Sequence, residues 1–535
     1  MSYYLKKLWK VNLVVAILQL SMYAIEASFA LLAVQRVQAV LNFDLYLFLF
    51  WEALHMAGWG AYLGLDCIVR NFKGRAVRKM NNMVRRDMAA TLLKKDYQAF
   101  HAQDSGEYLS WFTTNIKEIE DNAWNSFFQF TAYSAQVIAN IVILICLEWS
   151  LLPLVLISAG LMILMPKLFE KKLEYLGEMC AQGQSAAVGG LKDLLRGYDV
   201  LRFFGRSGRF HKGVDKASEQ IEEPAYQETC KGGMIYDGIG MVNVLSQTFP
   251  YVYIAILAIK KIVPYATLVG VGGPCSSISN GLNQLAYFRM CFSTSKPYFA
   301  RITVHDDGST PQKPQGTKPI QDCITVENVN FNYGEKPILK DMSATFRKGG
   351  KYALTGSSGC GKSTLLKLLL GWLPDYSGII RFDGRDAKDF TTEELLQQMS
   401  YIAQDVVLFN TTIRDNITLG GDFTDGQMQK ALKDSALAGD LANMPDGLDT
   451  AVGEEGSNLS GGQRQRVAIA RALIHDRSIL LVDEGTSALD EKNANIVEES
   501  LLANPELTLI LVSHHLAPER KAQFDHVYQL KTCAA

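Results

Sequence analysis

Apolar positions change their rhythm once along this chain of 535 residues. Before about residue 300 they run in long unbroken stretches, at 11–34, 45–69, 127–147, 151–168, 235–259 and 262–288. A helix needs about 20 residues of this kind to cross the ~30 Å hydrocarbon layer of a membrane. The pattern therefore predicts six helical spans. After residue 320 the apolar residues come in short bursts instead. Residues 351–355 and 478–482 read as buried strands and 365–370 as a helix, a β/α alternation typical of a parallel sheet with helices on its faces.

Long apolar helices also occur inside soluble proteins, and the placement of charge argues against that reading here. Lys6, Lys7 and Lys10 precede the first stretch; Arg70, Lys73, Arg75, Arg78, Lys79, Arg85 and Arg86 follow the second; Lys167, Lys171 and Lys172 follow the fourth. The connections after the first, third and fifth stretches are short and poor in Lys and Arg, apart from Arg36 and the pair Lys260 and Lys261. By the positive-inside rule both ends of the chain lie in the cytoplasm. The connections after the second and fourth stretches are long and helical in pattern, as if those helices extended beyond the bilayer.

Overall composition hides this polarity: 48% of residues are hydrophobic, 20% are charged and the net charge is -2. No basic excess points to nucleic acid. Residues 304–319 are rich in Gly, Pro and polar side chains and read as a linker. This divides the chain into a membrane domain at 1–303, a linker at 304–322 and an α/β domain at 323–535. No signal-peptide cleavage site closes the first stretch, and no repeat announces a second α/β domain. The nine cysteines lack metal-ligand spacing, which suits small packing residues in a reducing compartment.

The densest chemistry lies in Gly356, Ser357, Ser358, Gly359, Cys360, Gly361, Lys362, Ser363 and Thr364, which match G-x-x-x-x-G-K-[ST]. In such a loop, glycines let backbone N–H groups wrap phosphate oxygens at a helix N-terminus, Lys362 supplies a point charge, and Ser363 offers a hydroxyl to Mg²⁺. Residues 478–482 end in Asp483 and Glu484. At the carboxyl edge of a parallel sheet these acids can divide the work, Asp483 holding the Mg²⁺ shell and Glu484 polarising the attacking water. Cys360, inside the loop, would make hydrolysis sensitive to thiol reagents.

From about Ile324 to its end the chain resembles the nucleotide-binding domain of ATP-binding cassette (ABC) transporters. The sequence Leu459, Ser460, Gly461, Gly462, Gln463 matches that family's signature loop. The resemblance implies that Ser460, Gly461, Gly462 and Gln463 meet ATP held by the P-loop of a second subunit, so that dimerisation is part of the mechanism. It likewise implies that Gln404 senses Mg²⁺ and the attacking water, that Asp490 belongs to the D-loop, that His514 contacts the γ-phosphate, and that Tyr333 stacks on adenine. Gly485 departs from the alanine or proline usual in the family. The first three hundred residues resemble the exporter-type membrane domain, with 100–107 and 196–205 resembling its two coupling regions.

The resemblance implies a multidomain fold: an all-α six-span transmembrane domain followed by an α/β P-loop ATPase domain of the ABC type. It implies a multi-pass protein of the cell (inner) membrane, one half of a homo- or heterodimer, using ATP and Mg²⁺ for export by alternating access. Two alternatives stand beside this: an importer of the same fold, for example of metal chelates, and a non-transporting ATPase. The cargo is less legible. Glu26, Glu52 and Asp66 are costly in hydrocarbon. With Tyr23, His55 and the amides Gln19, Gln136, Asn140, Asn243, Gln247, Asn280, Asn283 and Gln284 they either line a path for cationic or peptide-like cargo or are structural, Glu52 and His55 satisfying each other and the amides bridging helices.

Overall fold

The computed structural model describes residues 1–103, 105–303, 320–485, 489, 491–513 and 518–531. They form two compact units. One holds Met1–Lys94 and the described residues from 105 to 303; the other holds Lys95–Gln103 and the described residues from 320 onward. The sequence boundary puts residues 95–103 in the membrane domain, whereas packing groups them with the C-terminal unit. The linker 304–319 lies outside the described residues.

Among the described residues of the first unit, six long helices carry the apolar stretches: Trp9–Leu41, Leu45–Leu93, Ser126–Glu148, Leu152–Arg196, Gly233–Ile259 and Thr267–Ala300. Each overlaps one apolar stretch of the sequence. The second helix runs for 49 residues and the fourth for 45. At 1.5 Å per residue that is about 70 Å, more than twice the thickness of the hydrocarbon layer. By length and composition, Trp9–Leu41 and the helical run Ser105–Leu161 are apolar enough to cross a membrane, and Thr248–Ile259 is a shorter apolar run. The second helix dilutes its apolar stretch with Glu52 and Asp66, and the sixth with Asn280, Asn283 and Gln284.

Two clusters hold this unit together. In one, Trp124 donates from Nε1 to Asn81 Oδ1 (3.0 Å) and Tyr4 donates to Asp87 Oδ2 (2.6 Å), among Val15, Met80, Met88 and Phe128. These four polar side chains satisfy one another in pairs, which removes most of their burial cost. The other cluster joins the third to sixth helices through Leu144, Leu151, Ile254, Val271 and Ile278.

The C-terminal unit is built on two sheets. Strands β1 (Cys323–Tyr333), β2 (Lys336–Arg347), β4 (Ser377–Phe382) and β5 (Arg385–Asp386) pair antiparallel in the order β2-β1-β4-β5. Strands β3 (Lys351–Thr355), β6 (Met399–Ile402), β7 (Ile479–Asp483), β8 (Thr508–Val512) and β9 (His526–Gln529) lie parallel in the order β6-β7-β8-β3-β9. β7 and β8 are buried at every position, as expected of strands covered on both faces. A separate helical cluster packs Ile413, Ile417, Met428 and Leu432 against Val467 and Ala470.

Candidate functional site

The phosphate loop leaves β3 at Thr355 and enters the helix Lys362–Leu369. Its turn needs glycine: Gly361 has φ +96°, and a Cβ there would stand 2.6 Å from Leu339 Cδ2 and 3.1 Å from Ile338 O. Lys362 is only 5% exposed. Its Nζ donates to the carbonyls of Gly356 (2.9 Å) and Ser357 (3.0 Å), so the ammonium is held inside the loop. Ser357, Ser358 and Gly359 are exposed, while Thr364 faces the core. Cys360 is buried, with 1% exposure and its sulfur 3.8 Å from Lys362 Nζ. That shields the thiol from reagents the sequence alone would admit.

β8 separates β7 from β3. The phosphate loop and the acids nevertheless meet, because Ser363 Oγ donates to Asp483 Oδ1 at 2.9 Å. Tyr401, on β6, donates to the other oxygen, Oδ2, at 3.2 Å. Burial pushes the Asp483 carboxyl above the ordinary aspartate range, and the hydrogen bonds from Ser363 and Tyr401 oppose that. Burial and the neighbouring carboxylate hold the Tyr401 phenol well above its usual range, so it stays protonated and donates. Sequence reasoning gave Tyr401 no role; nothing in its motif announces a bond to a residue 82 positions away.

Glu484 follows with φ +55°, left-handed backbone that non-glycine residues adopt sparingly. Its carboxylate accepts from Gln404 Nε2 at 3.1 Å and its carbonyl from Gln465 Nε2 at 3.3 Å. Gln404 and Glu484, 80 positions apart, are thus brought together, and Gln465, which the sequence did not single out, joins them. Tyr333 ends β1 at 46% exposure, its ring edge-on to Phe331 at 4.9 Å. An exposed, braced aromatic face suits stacking.

Ser460 caps the helix Gly461–Ile474 in a reciprocal box: Gln463 N donates to Ser460 Oγ, and Ser460 N donates to Gln463 Oε1. Gln463 is therefore committed to its own helix end, while Ser460 and Gly461 are exposed. Leu459 packs in the helical cluster and Cys360 in the sheet cluster, so the two loops rest on different cores. Asp490 and His514 lie outside the described residues.

As for Mg²⁺, the Ser363 hydroxyl and the Asp483 carboxylate, 2.9 Å apart beside the phosphate loop, are the hard oxygen donors that ion takes together with nucleotide phosphates. They fit it.

In the helical unit, Arg36 Nη1 lies 2.7 Å from Glu52 Oε2 and 3.1 Å from His55 Nδ1, and Asp66 pairs with Arg70. Gln19 bridges helices by donating to Phe128 O and accepting from Thr131. Asn140 donates to Gln136 O. The structural reading therefore holds for Glu52, which His55 and Arg36 meet, and for Gln19, which bridges helices, whereas Asp66 and Asn140 are satisfied within their own helices. Glu26 differs: Gln136 reaches its Oε1 at 3.4 Å, and its buried Oε2 has no hydrogen-bond partner among the described residues. The side chains of Asn243 and Gln247 lie outside the described ones.

Comparison with known proteins adds the following. The family model for the ABC transporter matches residues 339–487, and that for the ABC transporter transmembrane region matches 53–271. Multidrug resistance protein pgp-1 of Caenorhabditis elegans is 28% identical over 476 residues, covering 83% of this chain and 34% of that protein. Multidrug resistance protein 4 of Entamoeba histolytica is 30% identical over 81% of this chain and 34% of its own length. The ATP-dependent lipid A-core flippase of Vibrio parahaemolyticus is 27% identical over 82% of this chain and 77% of the flippase. This chain thus spans about a third of the two multidrug resistance proteins and about three quarters of the flippase. Among solved structures, a bacterial Atm1-family ABC exporter with ATP bound superposes with a TM-score of 0.82 at 24% identity, over 98% of this chain and 94% of that one.

Proposed function

Since this chain belongs to the ABC transporter family, with both the transmembrane region and the ATPase domain matched, we propose that it exports its cargo across a membrane by hydrolysing ATP. It is an integral membrane protein with an ATP-binding domain. The observation that carries the reading is the convergence of Ser363, Asp483, Glu484 and Gln404 from distant segments onto one edge of the parallel sheet. In that arrangement Lys362 and the loop N–H groups hold phosphate charge, and Gln404 orients the Glu484 carboxylate. Glu484 then takes the proton of the attacking water. Mg²⁺, when bound by Ser363 and Asp483, neutralises phosphate charge. Tyr333 stacks on the base.

The six stretches are six spans, with both termini in the cytoplasm of a cell whose inner membrane holds the protein. Two copies, or this chain and a related half-transporter, complete each nucleotide site, because Ser460 and Gly461 face solvent away from their own phosphate loop's core. Asp490 and His514 act at that shared site. The cargo carries positive charge. With Glu52 and Asp66 each committed to an arginine, Glu26 is the acid of the first two helices whose buried carboxylate oxygen has no hydrogen-bond partner among the described residues.

Inside-out vesicles test this. ATP added outside should drive a lipophilic cation into the lumen, Glu484→Gln should abolish both turnover and uptake, and Glu26→Gln should weaken uptake of the cation but not of a neutral analogue. ATP-driven loss of preloaded cation from the lumen would mean import. ATP turnover that persists in Glu484→Gln and in Lys362→Ala would refute the proposal.

A further inference from the structure

The C-terminal unit contains a column of rings that ends on a catalytic-site carboxylate. In the segment 95–103, Tyr97 stacks on His101 at 4.0 Å and, on the other side, on Trp372 at 4.3 Å with planes 5° apart. Trp372 meets Tyr401 edge-on at 5.4 Å. Tyr401 donates to Asp483 Oδ2 at 3.2 Å. Lys367, on the helix that follows the phosphate loop, lies 5.6 Å from the centre of the Tyr97 ring. Every member is partly or fully buried except the exposed His101.

We propose that Tyr401 is a positioning residue for Asp483, and that its aim is set through Trp372 by Tyr97. Ser363 fixes one carboxylate oxygen of Asp483 and Tyr401 the other, so together they leave the carboxylate little rotational freedom. A hydroxyl on a rigid ring points where the ring lets it. Trp372 presses its face on Tyr97 and its neighbourhood on Tyr401, so displacement of the 95–103 segment tilts the Tyr401 ring and loosens Asp483. Nucleotide chemistry then has a line from Asp483 through Tyr401 and Trp372 to Tyr97. This inference rests on the ATPase reading above.

The chain supplies its own reporter, since Trp372 is the one tryptophan after residue 149. In lipid nanodiscs, its emission is the difference between wild type and Trp372→Phe, and a fluorescent ATP analogue reports nucleotide binding. Tyr401→Phe removes one oxygen and keeps the ring. It should leave nucleotide affinity in EDTA unchanged and raise the Mg²⁺ needed for half-maximal change in Trp372 emission by roughly tenfold, the size of one lost hydrogen bond to a charged group. Tyr97→Ala should shift the same Mg²⁺ dependence in the same direction, and Tyr97→Phe, which keeps the stacked ring, should restore it. Should Tyr97→Ala melt early, Tyr97→Leu keeps the bulk without the stack and is expected to behave as Tyr97→Ala does. An unmoved Mg²⁺ dependence in Tyr401→Phe, or in the Tyr97 variant that folds, overturns the inference while the ATPase reading stands. Wild-type protein that binds no nucleotide overturns both.

Discussion

At Gly485 the chain lacks a side chain for a reason its own packing supplies. A Cβ there would lie 2.6 Å from Val482 Cγ1 and 3.0 Å from Ile402 Cγ2, both on buried β-branched side chains that cannot swing aside. Gly485→Ala should therefore destabilise the C-terminal unit by about 1–3 kcal/mol and lower ATP turnover by shifting Glu484, as a melting curve and a phosphate-release assay would reveal. His475 gives a residue-scale pH effect. Burial, then Arg477 and Arg471, holds its ring below the ordinary 6.5. The folded state keeps the ring neutral where the unfolded chain takes a proton, so this contribution is full above 6.5 and is lost as pH falls below that value. His475→Gln should lose less melting temperature than wild type on acidification. An equal loss in both proteins would show that the ring does not matter.

The elements show which local signals decide structure without help. Thr424 caps the helix Asp425–Asp434 in a reciprocal box with Gln427, on a helix that packs in the helical cluster and not in the sheet cluster that holds Cys360. Thr424→Ala should cost about 1 kcal/mol of stability with nucleotide affinity unchanged, which separates capping from catalysis in a way Ser460→Ala cannot. The phosphate loop was legible as strand, turn and helix because glycine spacing, the lysine and the flanking apolar runs are contiguous. Tyr401 was not. Its partner Asp483 is supplied by another strand, and parallel pairing of β6 with β7, Ile402 opposite Val482, is what brings the two together. Likewise, the segment 95–103 reads as a polar turn between helices until Tyr97 finds Trp372.

For the molecule as a whole, the six long helices follow from apolar run length, and their topology is open to direct test. A cysteine introduced as Lys260→Cys, in the short connection before the sixth helix, should react with an impermeant maleimide from outside intact cells, and one introduced as Lys94→Cys should react only after lysis. Labelling of both from the same side would refute the six-span arrangement. Polar groups within that domain were half legible. The sequence marks Glu26, Glu52 and Asp66 as costly; Arg70 meets Asp66 one turn along the same helix, and only the assembled helices show Arg36 neutralising Glu52.

Sequence alone marked the contiguous features: long helices from apolar run length, the phosphate loop, the signature loop and the paired acids at a strand end. These depend on spacing along the chain, which one-dimensional order already contains. Tertiary structure decided what depends on distance across it: that Ser363 reaches Asp483 past an intervening strand, that Gln404 holds Glu484, that Cys360 is sheltered, that Gly485 must be glycine, and that Tyr97 stands on the path to the carboxylate. Hydrogen bonds and ring contacts act over a few ångströms, and residues 80 or more positions apart come that close only after the sheet has assembled.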